Sequence, residues 1–224
     1  MTYAASGRDF LIERGGLDPA RVTAIGNSTD TDVLRAETLK LRSGHQKRAT
    51  SDSGFHALYI GGLDPAKRID FLLEAAEAAF NSDNSFRLTI VGRGILEPQV
   101  QEAARRNRFI AHITESRAAD LALLAHSADA IWMPGRVGLV AVDALAVGLP
   151  VHTTNYPHHA PEVEFLRGEE LQFLTDSPDE FALESLRRAS GTKPLLRDDI
   201  PTIESVAQKF VGVVREAQSF SVAK

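Results

Sequence analysis

The chain has 224 residues, of which 43% are hydrophobic and 25% charged, and this composition indicates a folded globular protein rather than a disordered or fibrous one. This length allows one large α/β domain, or one domain with a remnant of another. The formal net charge of −5, without a long run of Lys or Arg, argues against nucleic acid as a partner. The absence of cysteine excludes disulfides, zinc–thiolate sites and a thiol nucleophile.

The first 20 residues contain a short helical piece, Asp9 to Arg14, and then a Gly-Gly turn. They precede the regular pattern of the chain, and their start has no apolar core like that of a signal peptide. No segment has the roughly 20 apolar residues that would cross a bilayer. Because a cysteine-free chain fits a reducing compartment, we expect a cytoplasmic protein. The sequence leaves open a peripheral association with the inner membrane surface.

From residue 21 onward, β-rich apolar runs alternate with stretches of helical period. This alternation predicts an α/β fold with a Rossmann-like parallel sheet and helices on both faces. The predicted strands are Arg21–Ile25, Phe55–Ile60, Phe86–Val91, Phe109–Ile113, Ala130–Met133, Leu149–Thr153 and Leu171–Leu174. The predicted helices are one after Asp64-Pro65 and the segments Glu97–Arg105, Ala119–Ser127, Val137–Ala146, Pro178–Ala189 and Ile203–Ala217.

The chain is thus expected to have three parts: residues 1–20, a domain over 21–200, and a helical tail over 201–224. Within the domain, the polar segment from Lys40 to Ser53 is predicted to be an exposed linker.

Two glycine turns follow predicted strands. Gly61-Gly62-Leu63 is the first, and it is followed by Lys67 on the first turn of the next predicted helix, so that backbone and ammonium can grip an anion together. A plain βα turn with a solvated lysine is the alternative. The second turn is Gly92-Arg93-Gly94. Neither has the Gly-x-Gly-x-x-Gly spacing, which argues against a nicotinamide or flavin site.

The run from Pro134 to Val151 contains a strand end, a glycine turn, a short helix and the next strand. Gly135 and Gly138 allow close approach of a ligand to the backbone. The free N–H groups near Val137 to Leu139, at the start of the helix, favour an anion. The carboxylate of Asp143 can reach back towards ribose hydroxyls. The run therefore predicts a site for a nucleotide diphosphate.

Three histidines, His152, His158 and His159, lie close in sequence to Glu162 and Glu164. Adjacent histidines rarely point at one ion and the i, i+4 pairing of zinc proteases is missing, so no metal site is expected. We interpret one histidine as a hydrogen-bond donor or acid near a substrate; a polar loop is the alternative. Glu162 can hold sugar hydroxyls or act on a proton, and the sequence leaves both uses open.

Hydrolase elbows, Walker lysine loops and paired catalytic carboxylates are not found in the sequence, which favours transfer at a nucleotide-bound centre. Four segments in chain order resemble the motifs of one family over about residues 20 to 190. They are Ala24–Asp30 ("NGVD"-like), Tyr59–Leu63 with Lys67–Ile69 ("VGRL…KG"), Thr89–Gly94 ("IVGDGP") and Gly138–Ala144 ("GLVxLEAMA"). The chain resembles the C-terminal, donor-binding domain of the GT-B retaining glycosyltransferases of group 1.

The resemblance implies a cleft site without a metal or cofactor, where a nucleotide-diphosphate sugar binds as donor substrate. It implies that Lys67 holds the diphosphate, that the amides of residues 138–140 support the phosphates, and that Asp143 holds the ribose. We assign catalytic roles to Lys67 and Glu162. The residues assigned to donor binding are Gly61, Gly62, Lys67, Gly92, Gly94, Gly135, Val137, Gly138, Leu139, Val140, Asp143 and His159.

Two positions depart from the family pattern. Gly62 stands where the family has an arginine, and Gly135 stands where it has the first carboxylate of a Glu–seven residues–Glu motif. The form Pro134–Leu139, followed by His159–Glu162, is similar to the "PGxVGL" variant of bacterial members that build surface polysaccharides. We therefore interpret the departures as those of a subfamily.

The function expected from this resemblance is the donor-binding half of a retaining glycosyltransferase that transfers a hexosyl-type sugar to a polysaccharide or lipid-linked acceptor. The N-terminal acceptor domain would lie outside this chain, with residues 1–20 as its remnant or the crossover from it. The isolated chain is therefore expected to be inactive, and self-association or pairing with a separate acceptor subunit stays open. The alternative is a non-catalytic module that binds nucleotide or a partner chain. A nucleotide-sugar epimerase ranks third, because no acid/base pair is found.

Overall fold

The computed structural model describes residues 1–43, 54–188 and 196–222. Within these residues, six parallel strands form one sheet in the order β3-β2-β1-β4-β5-β6. The order turns at β1 and β4, and in open sheets of this kind ligands bind beyond the carboxyl ends of the strands near such a point. The strands are β1 (His56–Ile60), β2 (Arg87–Val91), β3 (Ile110–Ile113), β4 (Ala130–Trp132), β5 (Val151–Thr154) and β6 (Leu171–Leu174).

Helices cover both faces of the sheet. Helices α2, α5 and α6 contact one another on one side, and α3 packs against α7 on the other. The helices are α1 (Ala5–Glu13), α2 (Asp32–Ser43), α3 (Ile69–Ser82), α4 (Glu97–Arg106), α5 (Ala118–Ser127), α6 (Val140–Val147), α7 (Pro178–Arg188) and α8 (Ile203–Val222). Among the helices of the described residues, none has the length and apolar character needed to cross a bilayer.

The core lies between the sheet and its two helical layers. Helix α6 is buried on nearly all sides, which agrees with its apolar sequence VAVDALAV, in which Asp143 is the one charged residue. Strand β4 carries the buried Trp132, whose ring contacts Phe55, Phe86 and Phe181. This packing fixes the positions of β4 and α6, and therefore of the loop that joins them.

The predicted fold class is confirmed, and so are six of the predicted strands, with ends that differ by one or two residues. The predicted strand Arg21–Ile25 is wrong. Within the described residues this segment makes a single parallel bridge, between Ala24 and Thr2, and joins no strand of the sheet. Its β-rich composition reflects side chains that pack inward, such as Val22 and Ile25, both of which are buried.

Several helices begin or end at other residues than predicted, among them α1, α3, α6 and α8, and one helix was not predicted. Helix α6 begins at Val140 instead of Val137, because the residues from Pro134 to Leu139 form a loop. Helix α2 was not predicted, and it includes the first four residues of the predicted linker, Lys40–Ser43. The rest of that linker lies outside the described residues. The predicted division into residues 1–20, 21–200 and 201–224 stays a prediction.

Candidate functional site

The loop Pro134–Leu139, which follows β4, and the short turn Pro65–Lys67, which follows β1, are docked on each other. A Cβ at Gly135 would lie 2.3 Å from the carbonyl oxygen of Ala66, so only glycine allows this approach. The N–H of Arg136 donates to the carbonyl of Ala66 at 2.8 Å, and Nζ of Lys67 donates to the carbonyl of Arg136 at 2.6 Å. The structure therefore places Lys67 beside the glycine loop.

Lys67 ends a 3-10 turn and does not lie on α3, which begins two residues later at Ile69. The carboxylate of Asp64 caps this turn by accepting from the N–H of Ala66 at 2.9 Å. Burial lowers the pKa of Lys67, while the negative charge of Asp64 opposes the shift and the guanidinium of Arg136 adds to it. Two cations, Lys67 and Arg136, thus lie at this edge of the site.

The loop also presents backbone donors at the start of α6. The N–H of Val137 donates to Nδ1 of His159 at 3.1 Å, so this predicted donor already has a partner. Within the described parts of the chain, the N–H groups of Gly138, Leu139 and Val140 donate no hydrogen bond to protein atoms. A Cβ at Gly138 would meet just the methyl group of Ala160, at 3.8 Å. Three successive donors at a helix start are an arrangement that suits an anion.

Asp143 lies on the first turn of α6. Burial raises its pKa to about 6. Among the described residues it forms no ion pair, since no Lys, Arg or His nitrogen lies within 4.0 Å of its carboxylate. A carboxylate without a cation is suited to accept hydrogen bonds from neutral groups such as hydroxyls.

The glycines after β1 and β2 serve a different purpose from Gly138. Gly92 has φ 155°, and a Cβ there would lie 1.8 Å from the carbonyl oxygen of Gly61. Gly94 likewise would place a Cβ 2.4 Å from the carbonyl oxygen of Leu63. Backbone hydrogen bonds join the same two loops, from Gly61 to Val91 at 3.0 Å and from Leu63 to Arg93 at 2.9 Å. The close packing of these two loops explains why residues 92 and 94 are glycines, and this explanation does not require a ligand.

Gly62 has no such steric requirement. A Cβ there would meet a carboxylate oxygen of Asp64 at 3.4 Å, which is ordinary contact. Its carbonyl accepts a hydrogen bond from the buried hydroxyl of Tyr59 at 2.6 Å. Burial raises the pKa of Tyr59, and Asp64 raises it further.

His159 connects the loop to the sheet. Its Nδ1 accepts from Val137, and its Nε2 lies 2.9 Å from the carbonyl oxygen of Thr154 at the end of β5. Because one ring nitrogen accepts and the other must donate, the imidazole is neutral and carries its proton on Nε2. Burial lowers the pKa of His159, the bond to Thr154 raises it, and the nearby Lys67 lowers it.

Sequence reasoning missed Thr154 and Arg68. The hydroxyl of Thr154 donates to the carbonyl of Pro134 at 2.8 Å and lies 3.1 Å from Nη1 of Arg68. Arg68 has left-handed backbone angles, φ 56° and ψ 50°, and its guanidinium also contacts Asp176 at 2.5 Å and the ring of Phe71 at 4.4 Å. The signals were a threonine at a strand end and an arginine directly after Lys67.

Glu162 is buried in the short 3-10 helix Pro161–Phe165, and its carboxylate accepts from Nδ2 of Asn27 at 2.5 Å. The neighbouring Glu164 accepts from the N–H of Ser6 at 3.2 Å. These bonds join the N-terminal segment to the segment that follows His159. The structure therefore gives Glu162 a partner in Asn27, which sequence reasoning placed in a turn motif but not at the site.

The other two histidines lie elsewhere. His152 is 2% exposed, and its Nδ1 lies 2.6 Å from the hydroxyl of Ser185, which also accepts from the indole N–H of Trp132. Burial, together with the charge of Arg188, lowers the pKa of His152 to about 3. The ring of His158 contacts Tyr156 on the surface. Among the described residues, no three His, Cys, Asp or Glu side chains converge on a point where a metal ion could bind.

Comparison with known proteins gives consistent results. Residues 54–188 match the family model described as Glycosyl transferases group 1. A glycogen synthase of Mycobacterium tuberculosis is 28% identical over 164 residues, which are 69% of this chain and 37% of that protein. D-inositol 3-phosphate glycosyltransferase 2 of Catenulispora acidiphila is 29% identical over 161 residues, 63% of this chain and 36% of that protein. The chain therefore spans little more than a third of the length of these relatives.

Among solved structures, the Anabaena protein HepE in complex with UDP and glucose superposes with a TM-score of 0.62 at 14% identity. The match covers 96% of this chain and 62% of HepE. At this identity the likeness establishes the shared fold.

Proposed function

Because the chain belongs to the Glycosyl transferases group 1 family, we propose that it is the nucleotide-sugar-binding half of a retaining glycosyltransferase, with the donor held on the loop Pro134–Leu139. The observation that carries the proposal is the set of free N–H groups at residues 138–140 with Lys67 docked beside them. A helix start and an ammonium group together stabilise the negative charge of a diphosphate.

The chemistry would be electrostatic. As the bond between sugar and nucleotide breaks, negative charge develops on the departing diphosphate, and the amides of residues 138–140 with Lys67 would stabilise it. Asp143 would accept hydrogen bonds from ribose hydroxyls, in keeping with a partly buried carboxylate that lacks a cationic partner among the described residues. The sugar would be of the hexosyl type, and its acceptor a polysaccharide or a lipid-linked saccharide.

The acceptor would be bound by a part of the enzyme that this chain does not contain, and the isolated chain would not turn over. The lengths support this, because the chain spans 37% of the glycogen synthase relative. UDP is the first nucleotide to test, because HepE was solved with UDP and glucose bound.

A non-catalytic nucleotide-binding module is the second candidate. This alternative was suggested by the departures from the family pattern at Gly62 and Gly135. The structure explains Gly135, because the backbone there lies too close to Ala66 for any side chain. A carboxylate side chain cannot occupy this position while the two loops stay docked. Gly135 therefore supports a rearranged site better than a decayed one, whereas Gly62 has no such explanation.

The first experiment is calorimetric titration of the chain with UDP, GDP and ADP, alongside Lys67→Ala and Asp143→Asn. We expect saturable binding of one nucleotide, weakened at least about tenfold by Lys67→Ala, because the ammonium faces the phosphates. Lys40→Ala is the matched control, since Lys40 is an exposed lysine on α2 paired with Glu37. A folded wild-type chain that binds none of the three at millimolar concentration would contradict the proposal.

Catalysis requires a second readout. Release or transfer of sugar from the bound nucleotide sugar, after addition of the acceptor-binding half of a family member, would separate the transferase from the binding module. Tight binding without any sugar release in the presence of that half would favour the module.

A further inference from the structure

We infer that His159 is a positioning residue that sets the loop Pro134–Leu139 in the conformation that binds a nucleotide diphosphate. The inference rests on the proposed function and adds a determinant that does not touch the nucleotide. It predicts that donor binding depends on the protonation of one imidazole ring.

The geometry places His159 between the two segments that must stay together. Its Nδ1 accepts from the N–H of Val137 at 3.1 Å, and its Nε2 donates to the carbonyl of Thr154 at 2.9 Å. The next residue, Ala160, donates its own N–H to the carbonyl of Val137 at 2.8 Å. Val137 is thus held at both its N–H and its carbonyl by consecutive residues of one segment.

This double attachment determines which amides stay free. By taking the N–H of Val137, the imidazole fixes the peptide plane between Arg136 and Val137. Ala160 fixes the following plane through the carbonyl of Val137, and the next three N–H groups are the ones left without protein acceptors in the described chain. Without the imidazole, the N–H of Val137 would itself need a partner. The bond from Ala160 would then be the one that holds Val137, and the peptide between Arg136 and Val137 could rotate.

The bond network extends to the Lys67 turn. Thr154, which accepts from His159 through its carbonyl, donates through its hydroxyl to the carbonyl of Pro134 at the start of the loop. The same hydroxyl lies 3.1 Å from Nη1 of Arg68, the residue after Lys67. His159 and Thr154 therefore join Val137 and Pro134 of the loop to Arg68, the residue that follows the lysine turn.

Protonation of the ring would break this arrangement. A protonated Nδ1 is a donor and cannot accept from Val137, so two N–H groups would face each other. The charged and titratable groups on the packed elements come from four places. Arg136 lies on the loop itself and Asp143 on α6, while Lys67, Arg68 and Asp176 lie at the lysine turn and beyond it. Tyr156, His158 and Glu162 belong to the same segment as His159. Burial and the nearby Lys67 act against the charged ring, so the neutral form persists below the ordinary value of 6.5.

A positioning role and a direct phosphate contact have opposite pH dependence. If the ring contacted the phosphates, protonation would add a positive charge to the site and strengthen binding as pH falls. If the ring holds the loop, protonation breaks the bond to Val137 and weakens binding. The sign of the dependence therefore decides between the two roles.

The test is titration of the full chain with UDP-glucose between pH 5.5 and 8. The diphosphate of this probe is a diester that does not titrate in this range, whereas the terminal phosphate of UDP does. We compare the wild type with His159→Asn, whose Oδ1 can replace Nδ1 as acceptor for Val137, and with His159→Ala, which removes the acceptor. His158→Asn is the matched control, since His158 is an exposed neighbour.

We expect wild-type affinity to fall as the pH is lowered from 8 to 5.5, with the steepest loss at the acid end of the range, because the pKa of His159 is lowered. His159→Asn should keep affinity within about threefold of the wild type at pH 8 and lose most of the pH dependence. His159→Ala should bind at least about tenfold more weakly at every pH, and His158→Asn should behave as the wild type. Dependence left in His159→Asn comes from other groups at the site, among them Asp143, whose pKa is raised to about 6, and Lys67, whose pKa is lowered.

A second readout does not need a nucleotide. Imidazole ¹⁵N shifts should show the ring of His159 neutral with its proton on Nε2 at pH 8, and exchange of the Val137 amide should be faster in His159→Ala than in the wild type. A proton on Nδ1, tighter binding at acid pH, or unchanged affinity in His159→Ala would overturn the inference. If the wild type binds no nucleotide, the proposed function fails. The ¹⁵N shifts of the His159 ring and the exchange rate of the Val137 amide still decide whether His159 holds the loop.

Discussion

Two glycine-rich regions at the carboxyl edge of the sheet look alike in sequence and differ in structure. After β1 and β2, the glycines let two backbones touch, with Gly92 placed where a Cβ would be 1.8 Å from the carbonyl oxygen of Gly61. After β4, Gly138 has open space, and the N–H groups beside it have no acceptors among the described residues. Gly92 and Gly94 allow two backbones to approach, as Gly135 does beside Ala66, whereas Gly138 leaves a surface open. A glycine motif by itself therefore does not identify a binding surface.

The sharpest test of this difference is Gly92→Ala. The new methyl group would overlap backbone, at a φ of 155° that L-residues rarely adopt, so the free energy of unfolding should fall by at least ~3 kcal/mol. Urea unfolding followed by the fluorescence of Trp132, the one tryptophan in the sequence, measures the change. Gly212→Ala on α8 is the control, because nothing lies within 4 Å of its Cβ position. Near wild-type stability of Gly92→Ala would show that the two loops can separate.

Asp143→Asn tests whether the second region is kept for binding at the expense of stability. The pKa of Asp143 is raised from 3.8 to about 6, so above pH 6 the folded chain carries a partly buried charge that lowers its stability. At pH 7.5 the variant should gain about 1–2 kcal/mol of stability, less than the full linkage because a buried amide remains. The gain should shrink as pH falls from 6 towards 3.8. Thermal unfolding at several pH values measures it, and a variant less stable than the wild type at pH 7.5 would contradict the assignment.

Gly138→Ala should separate folding from binding in the second region. Its Cβ would meet the methyl group of Ala160 at 3.8 Å, so the free energy of unfolding should change by less than ~1 kcal/mol. The methyl group would stand beside the free amides, and UDP affinity should fall about tenfold, or ~1.4 kcal/mol. Unfolding and calorimetry on the same preparation give both values. Unchanged affinity would mean that the phosphates bind elsewhere.

The smallest effect is expected for Gly62→Ala, which lies in the first region but lacks its packing requirement. The Cβ would be 3.4 Å from Asp64, and the backbone angle is one that alanine accepts. Reduced freedom of the unfolded chain should offset the contact, leaving stability within ~0.5 kcal/mol of the wild type. A large loss in urea unfolding would place Gly62 with Gly92 and remove the distinction within the first region.

The sequence predicted the fold well because the buried strands are continuous apolar runs, which reflect burial on both faces of a parallel sheet. Helix α2 was missed because just two of its residues, Leu34 and Thr38, are buried, so its apolar stripe is narrow and merges with the polar segment that follows. The segment Arg21–Ile25 has the composition of a strand, but pairing is decided by what lies beside it, and here that is Thr2. The missed helix and the wrong strand could not be recognised from the pattern of apolar residues in their own segments.

The site was predicted at the level of loops. The family resemblance implied that Lys67 and the glycine loop belong to one site. The bonds that hold the loop did not follow, because the contacts of His159 with Val137 and of Arg68 with Asp176 join residues 22 and 108 positions apart. The assignments of Lys67, Asp143 and Glu162 to catalysis or donor binding stay predictions.

The left-handed backbone of Arg68 has a consequence for how this chain tolerates sequence change. Such a conformation costs a non-glycine residue about 1–2 kcal/mol, and here the guanidinium recovers stability through Asp176, Thr154 and Phe71. An arginine placed there before these partners existed would have been a net loss, and loss of a partner now would make glycine the better residue. Position 68 is therefore epistatic, because the effect of an arginine there on stability depends on the residues at its partner positions. A substitution at position 68 should be judged together with those partners and not by itself.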